Sequence, residues 1–267
     1  MIRKPTVAHQ FYPGNPATLD RAVRSMVVEK RPKEDAIAII SPHAGYIYSG
    51  NVAGSIYSDV KLPDNIVLIG PNHTGLGERV ALMDKGEWEM PFGRVKVNER
   101  LASIILEESD IFVADPVAHL REHSLEVQLP FIHIFNPEAT IVPITVMHLN
   151  HPECEEAGQA IARAIKRYAE KVLIVVSSDM NHYESQEVTK RKDKKAIDKV
   201  LALDHKGLLR TVMDEDISMC GVIPATIALV ASKELGAKEA RLVSYATSGE
   251  TSGDYQHVVG YAGILIK

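Results

Sequence analysis

Four short and almost wholly apolar runs, at residues 36–40, 66–69, 140–144 and 172–176, constrain this chain more than any other feature. A strand that avoids water along its whole length must be covered on both faces, and such strands belong to parallel sheets sandwiched by helices. Longer stretches of helical period separate them. After His151-Pro152-Glu153, residues Ala157, Ala160, Ile161, Ala164 and Ile165 recur at the spacing of one helix face, ending near Ala169. A second stretch runs from about Gln186 through Ala196, Ile197, Val200 and Leu201. The expected fold is therefore α/β, a single domain over residues 1–267 with a mostly parallel central sheet flanked by helices. Residues 241–245 and 258–266 add two strands, the last long enough to pair antiparallel. Residues 80–97, with the turn chemistry of Met83-Asp84-Lys85-Gly86 and Met90-Pro91-Phe92-Gly93, read as a hairpin excursion carrying the only tryptophan, Trp88.

Charge narrows the choice of partners. Thirty Lys+Arg against thirty-five Asp+Glu leave a formal charge of −5, so no overall field draws in phosphate backbones or anionic membrane. The basic run Lys190-Arg191-Lys192-Asp193-Lys194-Lys195 reads as a solvated helix face. No apolar run approaches the ~18 residues of a membrane span, and the Met1-Ile2-Arg3-Lys4-Pro5 start lacks the apolar core of a secretory signal. Nucleic acid and membrane are excluded as expected partners, and a cytoplasmic location is expected.

The chemistry-bearing residues cluster just past the strand ends. Residues 36–40 run into Ser41-Pro42-His43-Ala44-Gly45, and residues 66–69 into Gly70-Pro71-Asn72-His73-Thr74-Gly75. The matched contexts lie about thirty residues apart, the length of a crossover between parallel strands. A third strand ends as Ser177-Ser178-Asp179-Met180-Asn181-His182-Tyr183. Ligands of open α/β sheets bind outside the carboxyl ends of the strands, so His43, His73, Asp179 and His182 are expected in one pocket. Clustered imidazoles suit either a transition metal or acid–base work. Asp179 serves equally as an N-cap for a following helix or as an orienter of a histidine.

Cys220, in Met219-Cys220-Gly221-Val222, precedes an apolar helix, where the macrodipole favours a thiolate for nucleophilic attack or metal binding; a small buried apolar role fits the same position. Cys154, among Glu153, Glu155 and Glu156, reads as structural. Glu122-His123-Ser124-Leu125-Glu126 heads a short helix, with His119 and His123 four apart but not in the order of a zinc-protease helix. The loop Thr247-Ser248-Gly249-Glu250 through Gly253-Asp254 offers backbone donors without the lysine of a phosphate loop.

As an ordered set these blocks, together with Ala8-His9-Gln10-Phe11-Tyr12-Pro13, resemble the Memo family, which is related in fold to the LigB-like class III extradiol dioxygenases. The resemblance spans nearly the whole chain. It implies a sandwich-like α/β domain in which His43, His73 and Cys220 correspond to metal-binding positions, with His182 as the acid–base group and Asp179 orienting it or tuning its pKa. His123, Tyr46, Asn72 and Ser248 are expected in the substrate pocket. Iron is the expected metal, with copper and zinc as alternatives, since a two-histidine, one-cysteine set suits none of the hard oxygen-seeking cations. Cys220 stands where the dioxygenases carry a carboxylate, and a thiolate is softer and more easily oxidised. The resemblance further implies a small-molecule or peptide partner and a pathway shared with AMMECR-type and radical SAM proteins. Three functions follow as expectations: a dioxygenase-like oxidoreductase, a metal-free hydrolase or acyl transferase using Cys220, His182 and Asp179, and a peptide-binding protein retaining the pocket.

Overall fold

Val67 and Ile69 point to one side of their strand and Ile66 and Leu68 to the other, and all four are fully buried. The same holds for Ile174 and Val176 against Leu173 and Val175, which is what the unbroken apolar runs require. The computed structural model describes residues 1–28 and 32–267. In chain order its first elements are β1 (Ile2–Arg3), α1 (Pro16–Met26), β2 (Ala38–Ser41), α2 (Tyr46–Asp59), β3 (Asn65–Pro71), β4 (Val80–Leu82), β5 (Glu87–Met90), β6 (Gly93–Lys96), α3 (Glu99–Glu108) and β7 (Val113–Ala114). Two 3-10 turns, Val117–His119 and Glu126–Gln128, lead into α4 (Leu129–Phe135) and β8 (Thr140–Val146). There follow α5 (His151–Tyr168), β9 (Val172–Ser177), β10 (His182–Glu184), α6 (Gln186–Leu201), α7 (His205–Asp214), α8 (Val222–Glu234), β11 (Ala240–Thr247), α9 (Gly249–Ser252) and β12 (Val258–Ile266).

These form a single α/β domain around one mixed sheet. Its centre is parallel, β2-β9-β3-β8, and its flanks are antiparallel: β4 against β8 on one side, and β12 against β2 on the other. The terminal strand β12 pairs antiparallel as its length suggests, and also holds β10 and β11. One face of the sheet packs on α3, α5, α6, α7 and α8 through residues such as Leu101, Ile161, Ala196, Leu208 and Ile227. The other face meets α1, α2 and α4 through Val23, Ile56 and Phe131.

Two details differ from the sequence reading. The crossover from β2 to β3 does not join neighbours, because β9 inserts between them. The 80–97 excursion also divides: β4 joins the main sheet, while only β5 and β6 form the hairpin, which pairs through β5 with β1 in a separate three-stranded sheet. Trp88 of that hairpin is fully buried beneath the guanidinium of Arg3, 4.3 Å from the ring centroid. Arg3 in turn pairs with the buried Glu126 carboxylate, which also accepts from the Tyr12 hydroxyl and the backbone N–H groups of Thr6 and Val7. The N-terminal strand is thereby fastened to the segment that carries Glu122 and His123.

Candidate metal centre and its cleft

The strand order β2-β9-β3 sets three carboxyl ends side by side, and the loops that leave them deliver His43, Asp179 and His73 to one cleft of about 560 Å³. His123 from the 3-10 segment and His182 and Cys220 from the opposite side complete its polar lining, while Phe11, Tyr183 and Val259 add apolar surface. Nitrogens of His43, His73 and His123 lie within 4.8 Å of one another. The three rings surround a common point: His43 meets His73 and His123 edge-on at centroid distances of 5.2 and 5.5 Å, and His73 stacks on His123 at 4.7 Å.

Two of the rings, His43 and His73, are held through Nδ1. The buried Ser177 hydroxyl donates to Ser124 O at 2.6 Å, so the same oxygen accepts from Gln128 Nε2 at 2.9 Å and from His43 Nδ1 at 2.9 Å. A hydroxyl has one proton, and with that proton committed His43 must carry its own on Nδ1, leaving the Nε2 lone pair free. His73 Nδ1 lies 2.9 Å from Glu122 Oε1. That carboxylate also accepts from the backbone N–H groups of His73, His123 and Ser124. Burial alone would raise the Glu122 pKa; the His73 hydrogen bond and charge, the Ser124 N–H and the His123 charge bring it down to about 2. The resulting carboxylate–histidine pair is the arrangement that orients and enriches metal-ligating imidazoles. Burial holds His43 well below its usual range, with His123 and His73 adding to the effect, and burial also lowers His123. Both rings are thus kept in the neutral form that coordinates metals.

Cys220 Sγ lies 3.4 Å from His43 Nε2 and accepts the Asp179 N–H at 3.3 Å. Burial, with the Asp179 charge, pushes this thiol well above its usual range despite its place before α8, whose N-cap is Gly221. Desolvation thus opposes the thiolate that the helix start was expected to favour. Its hydrogen-bonding imidazole is His43, while His182 lines the same cleft.

His182 is oriented from elsewhere than anticipated. Its Nδ1 lies 2.8 Å from Ser218 O and its N–H donates to Ser218 Oγ at 2.7 Å, so the ring presents Nε2 outward. Asp179 instead accepts the His43 N–H at 2.8 Å and stays near enough to feel the His182 charge, while burial raises its pKa. It caps no helix; α6 is capped by Ser185. Tyr183, beside it, adopts a left-handed φ of 62° that an aromatic residue rarely takes.

Three residues expected in the pocket are used otherwise. Tyr46, the first residue of α2, is buried in the core and donates to Val127 O at 2.7 Å. The Asn72 side chain folds the loop after β3, accepting from Thr74 N and Gly75 N and donating to Leu76 O. Ser248 Oγ accepts the Val259 N–H at 3.0 Å, closing the turn between β11 and β12. Glu122, Ser177, Gln128 and Ser218 carry positioning roles that the sequence did not single out. For Glu122 the adjacent His123 and Ser124 were the available signal, since a carboxylate at the head of a turn collects successive backbone N–H groups.

A family model described as Memo-like protein matches residues 3–265. A MEMO1 family protein of Desulfurococcus amylolyticus is 42% identical over 278 residues, covering 98% of this chain and 98% of its own. One of Pyrobaculum arsenaticum is 44% identical over 276 residues, covering 99% and 98%, and one of Methanothermobacter thermautotrophicus is 39% identical over 274 residues, covering 98% and 99%.

Proposed function

The chain belongs to the Memo family, and on that premise we propose that its histidine-lined cleft binds a transition metal, iron before copper or zinc, and acts as an oxidoreductase on a small oxidisable molecule. The observation that carries the reading is the convergence of His43, His73 and His123 nitrogens within 4.8 Å, with a cysteine sulfur 3.4 Å from one of them. Three imidazoles and a thiol are nitrogen and sulfur donors, the set that iron, copper and zinc accept and that magnesium and calcium do not. His43 and His73 would hold the ion through Nε2, with Cys220 or His123 as the third donor. A redox-active ion there would supply one-electron chemistry.

The protein's own groups set the rest. Glu122 and Ser177 fix the tautomers of His73 and His43, and the Phe11, Tyr183 and Val259 surfaces receive the apolar part of a substrate. His182, its Nδ1 turned to the Ser218 carbonyl, keeps Nε2 available to take a proton from a substrate hydroxyl and return it later. Asp179 lies in the same cleft and fixes the backbone of His43 by accepting its N–H. Elemental analysis of anaerobically purified wild type beside His43→Ala tests the proposal. Near-stoichiometric iron, copper or zinc in the wild type alone supports metal binding, and wild-type consumption of dioxygen with a phenolic substrate supports the chemistry. Absence of metal from both, even after anaerobic reconstitution with Fe(II), overturns it.

A further inference from the structure

A second histidine constellation lies at the junction of α5 and α7. His151 is the first residue of α5 and Glu155 stands one turn along the same face, while His205 is the first residue of α7. His151 Nε2 and His205 Nδ1 are 3.0 Å apart. The two rings are within 8° of coplanar with centroids 5.1 Å apart, so they meet edge to edge with their in-plane nitrogens facing. Glu155 Oε2 lies 3.5 Å from His151 Nδ1, and one donor atom from each of the three residues falls within 4.8 Å of the other two.

We propose that His151, Glu155 and His205 form a second transition-metal site, of zinc type, that clamps α5 to α7. Two nitrogens bound to one zinc ion at 2.0–2.1 Å in tetrahedral geometry stand about 3.3 Å apart, so the ion is admitted when the rings part by a few tenths of an ångström and each turns by about 35° to aim its lone pair at a common point. Glu155 contributes the negative charge that the two rings lack. The scaffold is pre-set: Asn150 and Glu153 close a capping box at the start of α5, and Asp204 caps α7 by accepting the Gly207 N–H. His151 also lines a separate cleft of about 360 Å³, which supplies an entry path and room for a fourth, exchangeable ligand. Lys206 and Arg210 line that cleft as well, so the fourth ligand is water or a small anion. A plain hydrogen bond between the two rings needs neither the carboxylate nor the access.

The site is independent of the cleft containing Cys220, and cobalt distinguishes them, because only a thiolate ligand gives cobalt a sulfur charge-transfer band. Metal-stripped full-length wild type, His73→Ala, His205→Gln and Glu155→Gln are titrated with zinc and with cobalt. The expected result is an equivalent of zinc that persists in His73→Ala, disappears in His205→Gln and binds at least about 10-fold more weakly in Glu155→Gln, with cobalt bands free of sulfur charge transfer. Glu155 is partly exposed, so its variant folds and keeps the test decisive if His205→Gln does not. Zinc binding unchanged in both helix variants overturns the second site. Loss of the equivalent in His73→Ala but not in His205→Gln assigns all binding to the first cleft and overturns it equally.

Discussion

Replacing Glu122 by Gln keeps the size and hydrogen-bonding shape of a fully buried side chain while removing its charge. The ionised carboxylate accepts from the His73 ring and from the backbone N–H groups of His73, His123 and Ser124, and its pKa falls from the ordinary 4.5 to about 2 although burial works against it. A depression of that size corresponds to about 3 kcal/mol of stability. Because the folded pKa is the lower one, this contribution is complete above about pH 4.5 and drains away as the pH falls towards 2. Urea unfolding near neutral pH should place Glu122→Gln about 3 kcal/mol below the wild type, equivalent to roughly 5 °C in Tm for a chain of this length. The wild-type lead should then narrow as acid is added. Zinc or Fe(II) affinity at the first cleft should fall about 10–100-fold, as it does when the partner of a ligating histidine is lost. A lead under about 1 kcal/mol at neutral pH, or one of constant size down to pH 3, would refute the assignment of Glu122 as the charged support of His73.

Glu126→Gln breaks the buried pair with Arg3 and should cost about 3–5 kcal/mol, or about 5–9 °C by calorimetry. Ser177→Ala leaves the buried His43 Nδ1 proton without its acceptor; a loss of about 1–3 kcal/mol and weaker metal binding by titration calorimetry are expected. Gly221→Ala places a methyl carbon 2.4 Å from Ser178 Cβ, so urea unfolding should report a loss of at least about 1–3 kcal/mol as the Cys220 loop is forced outward.

The sheet was legible because burial on both faces writes itself into the strands: β3, β8 and β9 contain the runs that announced them, each with one to three residues added. The histidines at their carboxyl ends followed from the general placement of ligands in such sheets. What escaped was everything fixed by long-range pairing. Nothing local to residues 36–69 reveals that β9 separates β2 from β3, since that position is taken by chain more than a hundred residues later. His123 looked secondary because it sits on no strand; its place beside His43 depends on the Arg3–Glu126 fastening and on the Glu122 turn. Tyr46, Asn72 and Ser248 flank the right motifs, yet each polar group is consumed by a backbone partner, at Val127 for Tyr46 and closer along the chain for the other two. The His151–His205 pair was invisible for the same reason, being joined only when α5 and α7 meet.

The position of β2 between β9 and β12 has a kinetic consequence. Ile40 is paired with Val176 on one side and Ile264 on the other, so the strand that leads to His43 gains both neighbours only from distant chain. Closing loops of that length precedes any reward from the contacts they make, and such pairings form late and slowly. The acceptor of His43 Nδ1 and the donor to the Asp179 carboxylate arrive in the same event, on β9 and β2 together. A refolding chain therefore completes the surroundings of His43 late, and the metal binding proposed above, followed as transfer from a chelator, is expected to mark the end of folding rather than its beginning.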